Sequence, residues 1–246
     1  MVRNTILITG ASSGLGAQMA RQFAARGRNL ALCARRTERL RELKVELEAQ
    51  HGVRVEVREL DVNDHSAVFT VFDDFARAFG RIDRFIVNAG IGRGRPLGTG
   101  HFKENLRTVE TNFVAGLAQC EAAVRLLREQ RAGHLVVISS MSAMRGLPKH
   151  YTSYSASKAA IAHLAAGLRA EMAGTGIVVS TIFPGYIRTE INQNAKKTLP
   201  FAVDEVTGAK ALVRAIEREP ATAQVPAWPW TVVGPLMRIL PVRFLV

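Results

Sequence analysis

Two hydrophobic rhythms alternate along the chain. Short, continuously apolar runs read as strands over 5–9, 29–34, 54–59, 84–88, 134–139, 177–183 and 223–226. Between them, stretches with apolar positions three and four apart read as helices over 15–26, 37–50, 65–79, 103–129, 154–173 and 204–219. Strands that are apolar throughout, rather than at every second position, imply a sheet covered by helices on both faces. Gly27, Gly52, Gly80, Gly133 and the Gly174/Gly176 pair punctuate the helix ends, where left-handed backbone is wanted. Alternation of strand and helix with short connections predicts right-handed crossovers. The fold class is therefore α/β, a Rossmann-type doubly wound parallel sheet of about seven strands. With no linker or internal repeat, residues 1–246 read as one domain. Its later parts are a substrate-side helical region over 190–225 and an apolar, Pro/Trp-rich tail over 226–246.

Composition narrows the function classes. The 246 residues are 48% hydrophobic with ordinary Gly, Pro and charged content, which excludes disordered, collagen-like and disulfide-scaffold chains. Cys33 and Cys120 each lie in an apolar run without a CxxC partner or nearby His, so no metal site or redox pair is expected. This usage fits a reducing, cytoplasmic setting. The N-terminus reads as a first strand rather than a signal peptide. The net charge of +12 favours anionic ligands. Lys and Arg are scattered without a recognition-helix motif, so nucleic acid is not expected as a partner.

The first chemical signal is Thr9-Gly10-Ala11-Ser12-Ser13-Gly14-Leu15-Gly16, placed between a strand and a helix at the start of the chain. Gly10 lets the chain reverse, while Gly14 and Gly16 let backbone approach a pyrophosphate. The helix N-terminus then offers free N–H groups to the anion, while Ser12 or Ser13 can add a hydroxyl to the 2′-phosphate of a phosphorylated cofactor. The Thr-Gly-x3-Gly-x-Gly spacing resembles the short-chain dehydrogenase/reductase family, and the resemblance runs to about Thr189. The second strand ends Ala34-Arg35-Arg36, where an NAD site would carry a carboxylate. Two guanidiniums there suit the 2′-phosphate of NADP(H), with NAD(H) the weaker alternative. In the NADP(H)-preferring members that the chain resembles, an arginine just past this strand does that work, which favours Arg35 before Arg36. Arg36 also suits the start of a solvated helix, paired with an acid such as Glu42.

Tyr154-Ser155-Ala156-Ser157-Lys158 puts a phenol and an ammonium on one helix face, four residues apart. Reducing a ketone needs a proton donor at the nascent alkoxide, and oxidising an alcohol needs a base there. A free phenol titrates near pH ~10, so an adjacent cation is required for the second role. Tyr151 has Ser155 rather than a cation four residues on, so it reads as lining the substrate mouth. Ser140, just past the fifth strand, is the favoured substrate-oxygen donor, with Ser139 and Ser142 as alternatives. Fourteen residues separate Ser140 from Tyr154, one more than the family commonly shows.

Further roles are implied by the resemblance alone. Asn112 matches the asparagine that holds a relay water beside the lysine. Asp61 and Val62 match the adenine contacts, and Asn88-Ala89-Gly90 the motif that shapes the cofactor cleft. Pro184, Gly185, Ile187 and Thr189 match the nicotinamide-carboxamide clamp. Lys158 in such members also bonds the nicotinamide ribose. Beyond Thr189 the resemblance fades. The tail, with both tryptophans at 228 and 230, suits packing on another subunit, a lid, or peripheral membrane contact. Its prolines argue against a spanning helix.

The expected activity is hydride transfer between NADP(H) and an alcohol or carbonyl carbon of a hydrophobic small molecule, by a homo-oligomer (dimer or tetramer). An NADP(H)-binding sensor or scaffold without turnover is the alternative. Epimerases and dehydratases usually carry larger substrate domains. The stretch 91–102, with Arg93 and Arg95, and the stretch 148–152 are expected to border the pocket.

Overall fold

The computed structural model describes residues 2–92, 94–188 and 201–239. Strands β1 (Thr5–Thr9), β2 (Asn29–Ala34), β3 (Val55–Glu59), β4 (Arg84–Val87), β5 (Ala132–Ile138), β6 (Gly176–Pro184) and β7 (Thr222–Val225) form one parallel sheet in the order β3-β2-β1-β4-β5-β6-β7. The order reverses between β1 and β4, and the crevice for ligands in such a sheet lies beyond their carboxyl ends. Helices α1 (Gly14–Ala24), α2 (Thr37–His51) and α7 (Glu205–Glu217) cover one face. The other is covered by α3 (His65–Phe79), α5 (Ala115–Gln130) and α6 (Thr152–Glu171). Within a single strand, Leu7 joins one core and its neighbours Ile6 and Ile8 the other. This is why the strands are apolar throughout.

The structure differs from the sequence expectation at three places. The long helix expected over 103–129 is α4 (Phe102–Val109), a π-helical turn at Glu110–Val114, and α5. The end of α5 falls on Arg131, which takes the left-handed position at φ 57°, whereas Gly133 lies inside β5. Gly133 sits at φ +146°, and a Cβ there would overlap Leu127 Cδ2 and lie 3.1 Å from the Asp83 carbonyl. Backbone conformation and close packing within β5, not a helix cap, therefore call for glycine. Gly176 opens β6. Third, the proline-rich tail forms α8 (Ala227–Ile239). Trp228 is extended at ψ 133°, as a residue before proline prefers, and Pro229 then sits in the first turn, where no N–H is needed.

At the amino ends of the central strands lies a buried polar knot. Arg84, 1% exposed, donates from Nε to His134 Nδ1 (2.9 Å) and pairs with Glu217 (2.6 Å) and Glu219 (3.2 Å). His134 Nε2 meets Ser180 Oγ at 2.8 Å, and Ser180 donates to the Pro220 carbonyl. Arg3 closes the knot on Glu219 at 2.8 Å. Burial, with Arg84 beside it, holds the His134 imidazole down to about 3, so it is neutral.

Candidate active site

Thr9 stitches the glycine turn to the neighbouring strand. Its hydroxyl accepts from the N–H groups of Asn88 (3.0 Å) and Ala89 (3.1 Å), and Asn88 Nδ2 donates to the Thr9 carbonyl (2.9 Å). Gly10, at φ +66°, passes so near β4 that a Cβ would lie 2.9 Å from Ala89 Cα. A Cβ on Gly16 would overlap the Gly10 carbonyl and lie 2.8 Å from Asn88 Nδ2. The N-terminus of α1 therefore opens toward a cleft of about 530 Å³ that runs across the carboxyl ends of the strands.

Basic groups line one end of that cleft. Arg36, the residue before α2, donates from Nε to Ser12 Oγ (3.2 Å) and from Nη2 to Ser13 Oγ. Arg35 faces Asp61 at 3.9 Å, and Asp61 Oδ1 also accepts from the N–H and Nδ2 of Asn63, both at 3.0 Å. Val62, Gly14 and Leu15 line the same end.

Tyr154 and Lys158 lie in the first two turns of α6 and face the other end of the cleft, with Ser139, Ser140 and Gly90. Lys158, 7% exposed, donates from Nζ to the Ile138 carbonyl at 3.0 Å. In return Ser139 Oγ donates to the Lys158 carbonyl at 2.7 Å, so β5 and α6 are cross-linked in both directions. Burial pushes the Lys158 ammonium down to about 8. Burial also holds the Tyr154 phenol above its ordinary range, opposed first by the Ser140 hydroxyl and less by Ser142, while Tyr151 adds to the rise. Ser139 is thus committed to the helix, and the hydroxyls facing the phenol are those of Ser140 and Ser142. Ser140 Oγ also accepts from Ser142 N–H at 3.2 Å. Between Pro148 and Tyr154, where the spacing carries one extra residue, Lys149 takes a left-handed turn at φ 60°.

The π-helical turn sets Asn112. Its Oδ1 accepts from Ile91 N–H (2.8 Å), and its Nδ2 donates to the Ile91 carbonyl (2.9 Å) and to Ser157 Oγ (3.2 Å). A Cβ on Gly90 would lie 3.0 Å from Asn112 Oδ1 and 3.4 Å from Lys158 Nζ, which places these groups around one backbone segment. Asn112 does not itself line the cleft; its neighbour Thr111 does, donating to Asn63 Oδ1 at 3.2 Å.

Pro184, Gly185 and Ile187 line the cleft from the end of β6. The segment is held by Gly185 N–H on the Val225 carbonyl (2.8 Å) and by pairing of Tyr186 and Arg188 with Val203. Thr189 and Arg93 lie outside the described residues. Over Gly185 packs the indole of Trp230, in edge contact with Tyr186 at 5.3 Å. Trp230, Met237, Phe183 and Met141 form a small core beside this wall, with Met144 and Leu147 at its margin.

Sequence reasoning missed Asn63, Arg107 and Thr111, all of which line the cleft. Arg107 and Thr111 are one helical turn apart, a spacing visible once Asn112 was singled out. No motif pointed to Trp230.

Residues 4–200 match the family model described as short chain dehydrogenase. The chain is a short-chain dehydrogenase/reductase. An uncharacterized oxidoreductase of Mycobacterium tuberculosis is 52% identical over 244 residues, covering 99% of this chain and 96% of that protein. Among solved structures, a short-chain dehydrogenase from Sphingobium yanoikuyae in complex with NADPH superposes with a TM-score of 0.82 at 28% identity, covering 97% of this chain and 96% of the other. NAD+-bound xylitol dehydrogenase superposes with a TM-score of 0.71 at 28% identity, covering 75% and 71%. This short-chain dehydrogenase/reductase is accordingly an oxidoreductase, and its relatives include both NADPH-bound and NAD+-bound proteins.

Proposed function

We propose that the protein is an NADP(H)-dependent oxidoreductase acting on the alcohol or carbonyl carbon of an apolar small molecule. One observation carries this reading. The Tyr154 phenol, the Lys158 ammonium and the Ser140 hydroxyl converge on one end of a cleft whose other end has Arg35 and Arg36 in place of a carboxylate. The donor set fits the cofactor. Free N–H groups at the start of α1 suit a pyrophosphate, and Arg36 beside Ser12 and Ser13 suits a 2′-phosphate, which NAD(H) lacks. Asp61 and Val62 would border the adenine, Asn88-Ala89-Gly90 the cleft floor, and Pro184, Gly185 and Ile187 the nicotinamide.

A bound nicotinamide supplies the hydride, and with it both electrons, in the reductive direction. The chain handles the proton. Ser140 donates to the carbonyl oxygen and fixes it against the phenol. Tyr154 then gives its proton to that oxygen, so an O–H bond forms there while the phenolic O–H bond breaks. The Lys158 cation stabilises the resulting phenolate. Asn112, bonded to Ile91 and Ser157, steadies the Gly90–Ile91 segment beside Lys158, where the proton returns. In the oxidative direction the phenolate accepts the alcohol proton. Met141, Phe183 and Trp230 form a buried apolar core behind Gly185 on the substrate side. The test is a panel of ketones and aldehydes followed by NADPH oxidation, repeated with Tyr154→Phe. Turnover should fall by roughly a hundred- to ten-thousandfold, on the scale of general acid catalysis; a smaller loss in the variant overturns the mechanism.

A further inference from the structure

Helix α8, which packs behind Gly185 through Trp230, has a second face with no partner among the described residues. On α8, Trp230, Gly234 and Met237 point inward, while Thr231, Val232, Pro235, Leu236 and Ile239 point outward. Trp228, just before the helix proper, is 75% exposed and Ile239 is 78% exposed. The contrast with α2 is direct: there the exposed positions include Glu38, Arg39, Arg41 and Glu42. Among the described side chains, the outward face of α8 carries no charge.

We propose that this face docks on an anionic lipid surface, with Trp228, Val232, Leu236 and Ile239 entering the headgroup boundary. The charge around it fits that partner. After Glu219 the remaining chain contains no Asp or Glu, and its only charged residues are Arg238 and Arg243, in a protein of net charge +12. An apolar helix face with an interfacial tryptophan, in a basic stretch of sequence, is the pattern of in-plane membrane binding. A second copy fits less well. Four side chains on one short helix offer well under the roughly 800 Å² per partner that a stable dimer buries. No described helix is long and apolar enough to cross a bilayer, so the contact lies in the plane of the surface.

The test is co-sedimentation of the full chain with vesicles of phosphatidylcholine alone or with one-third phosphatidylglycerol. Binding should be at least tenfold stronger to the anionic vesicles and should weaken in high salt. The Val232→Glu/Leu236→Glu variant should lose it while keeping its circular dichroism. In parallel, indole emission should shift to the blue on anionic vesicles, and Trp228→Ser alone should abolish the shift, which serves if the double variant fails to fold. The proposal is overturned by absence of binding, by equal binding to neutral vesicles, or by binding that the double variant and Trp228→Ser leave intact. A double variant that changes oligomeric state by light scattering, with no vesicle binding by the parent chain, assigns the face to a second copy instead.

Discussion

At the scale of single residues, function and stability pull against each other in Lys158. Its folded pKa of about 8 lies below the ordinary 10.5, so the unfolded chain binds more protons between those values. The penalty is therefore fully present below pH 8 and is relieved as pH rises toward 10.5; it amounts to about 3 kcal/mol. Lys158→Met should remove turnover yet raise the melting temperature at pH 7, read by calorimetry. A fall in that temperature would show that the bond to Ile138 outweighs burial. Gly16 has the opposite character. Gly16→Ala should cost about 1–3 kcal/mol and abolish NADPH binding, because the Gly10 carbonyl occupies the space of the new methyl. The glycines and the Tyr154/Lys158 pair were legible because one atom or one spacing dictates each residue. Choosing among three serines was not: Ser139, Ser140 and Ser142 differ only in where their hydroxyls turn, and that is decided by α6.

Elements show a second kind of limit. The apolar periodicity of 103–129 reads as one helix because a π turn adds a single residue without changing the amphipathic pattern visibly. Yet that turn sets Asn112 against Ile91. Likewise, Pro229 and Pro235 suggest a broken tail, whereas one of them opens α8. Helix α2 begins beside Arg36, whose guanidinium holds Ser12 and Ser13 and so ties this helix to the glycine turn. Arg36→Ala should raise the Kd for NADPH roughly ten- to a hundredfold, the worth of a charged hydrogen bond, and leave that for NADH within about twofold. Fluorescence titration reads both. If Arg35→Ala alone produces the loss, Arg36 serves the turn and not the phosphate.

Over the whole molecule, the parallel sheet has a chemical edge and a structural edge. Alternating rhythms announced this sheet, but nothing local announced the knot of Arg3, Arg84, His134, Glu217 and Glu219, whose members are far apart in sequence. The knot makes the fold sensitive to acid. His134 is held near 3 when folded, against an ordinary 6.5, so the unfolded chain binds the extra proton between these values. This group costs nothing above pH 6.5. Below it, stability should fall by up to about 1.4 kcal/mol per pH unit. Urea unfolding from pH 7 to 5 should show that slope, and His134→Gln, which keeps one acceptor and one donor, should flatten it. An unchanged slope would place the acid sensitivity elsewhere.

The two-way cross-link between β5 and α6, Ser139 to the Lys158 carbonyl and Lys158 to the Ile138 carbonyl, bears on how this fold diversifies. That link sets the distance from strand to helix independently of the segment 141–151 that joins them. The segment can gain a residue, as at Lys149, without moving phenol or ammonium. Loop length becomes a free variable for reshaping the substrate mouth, and the reaction centre keeps its dimensions while the specificity around it changes.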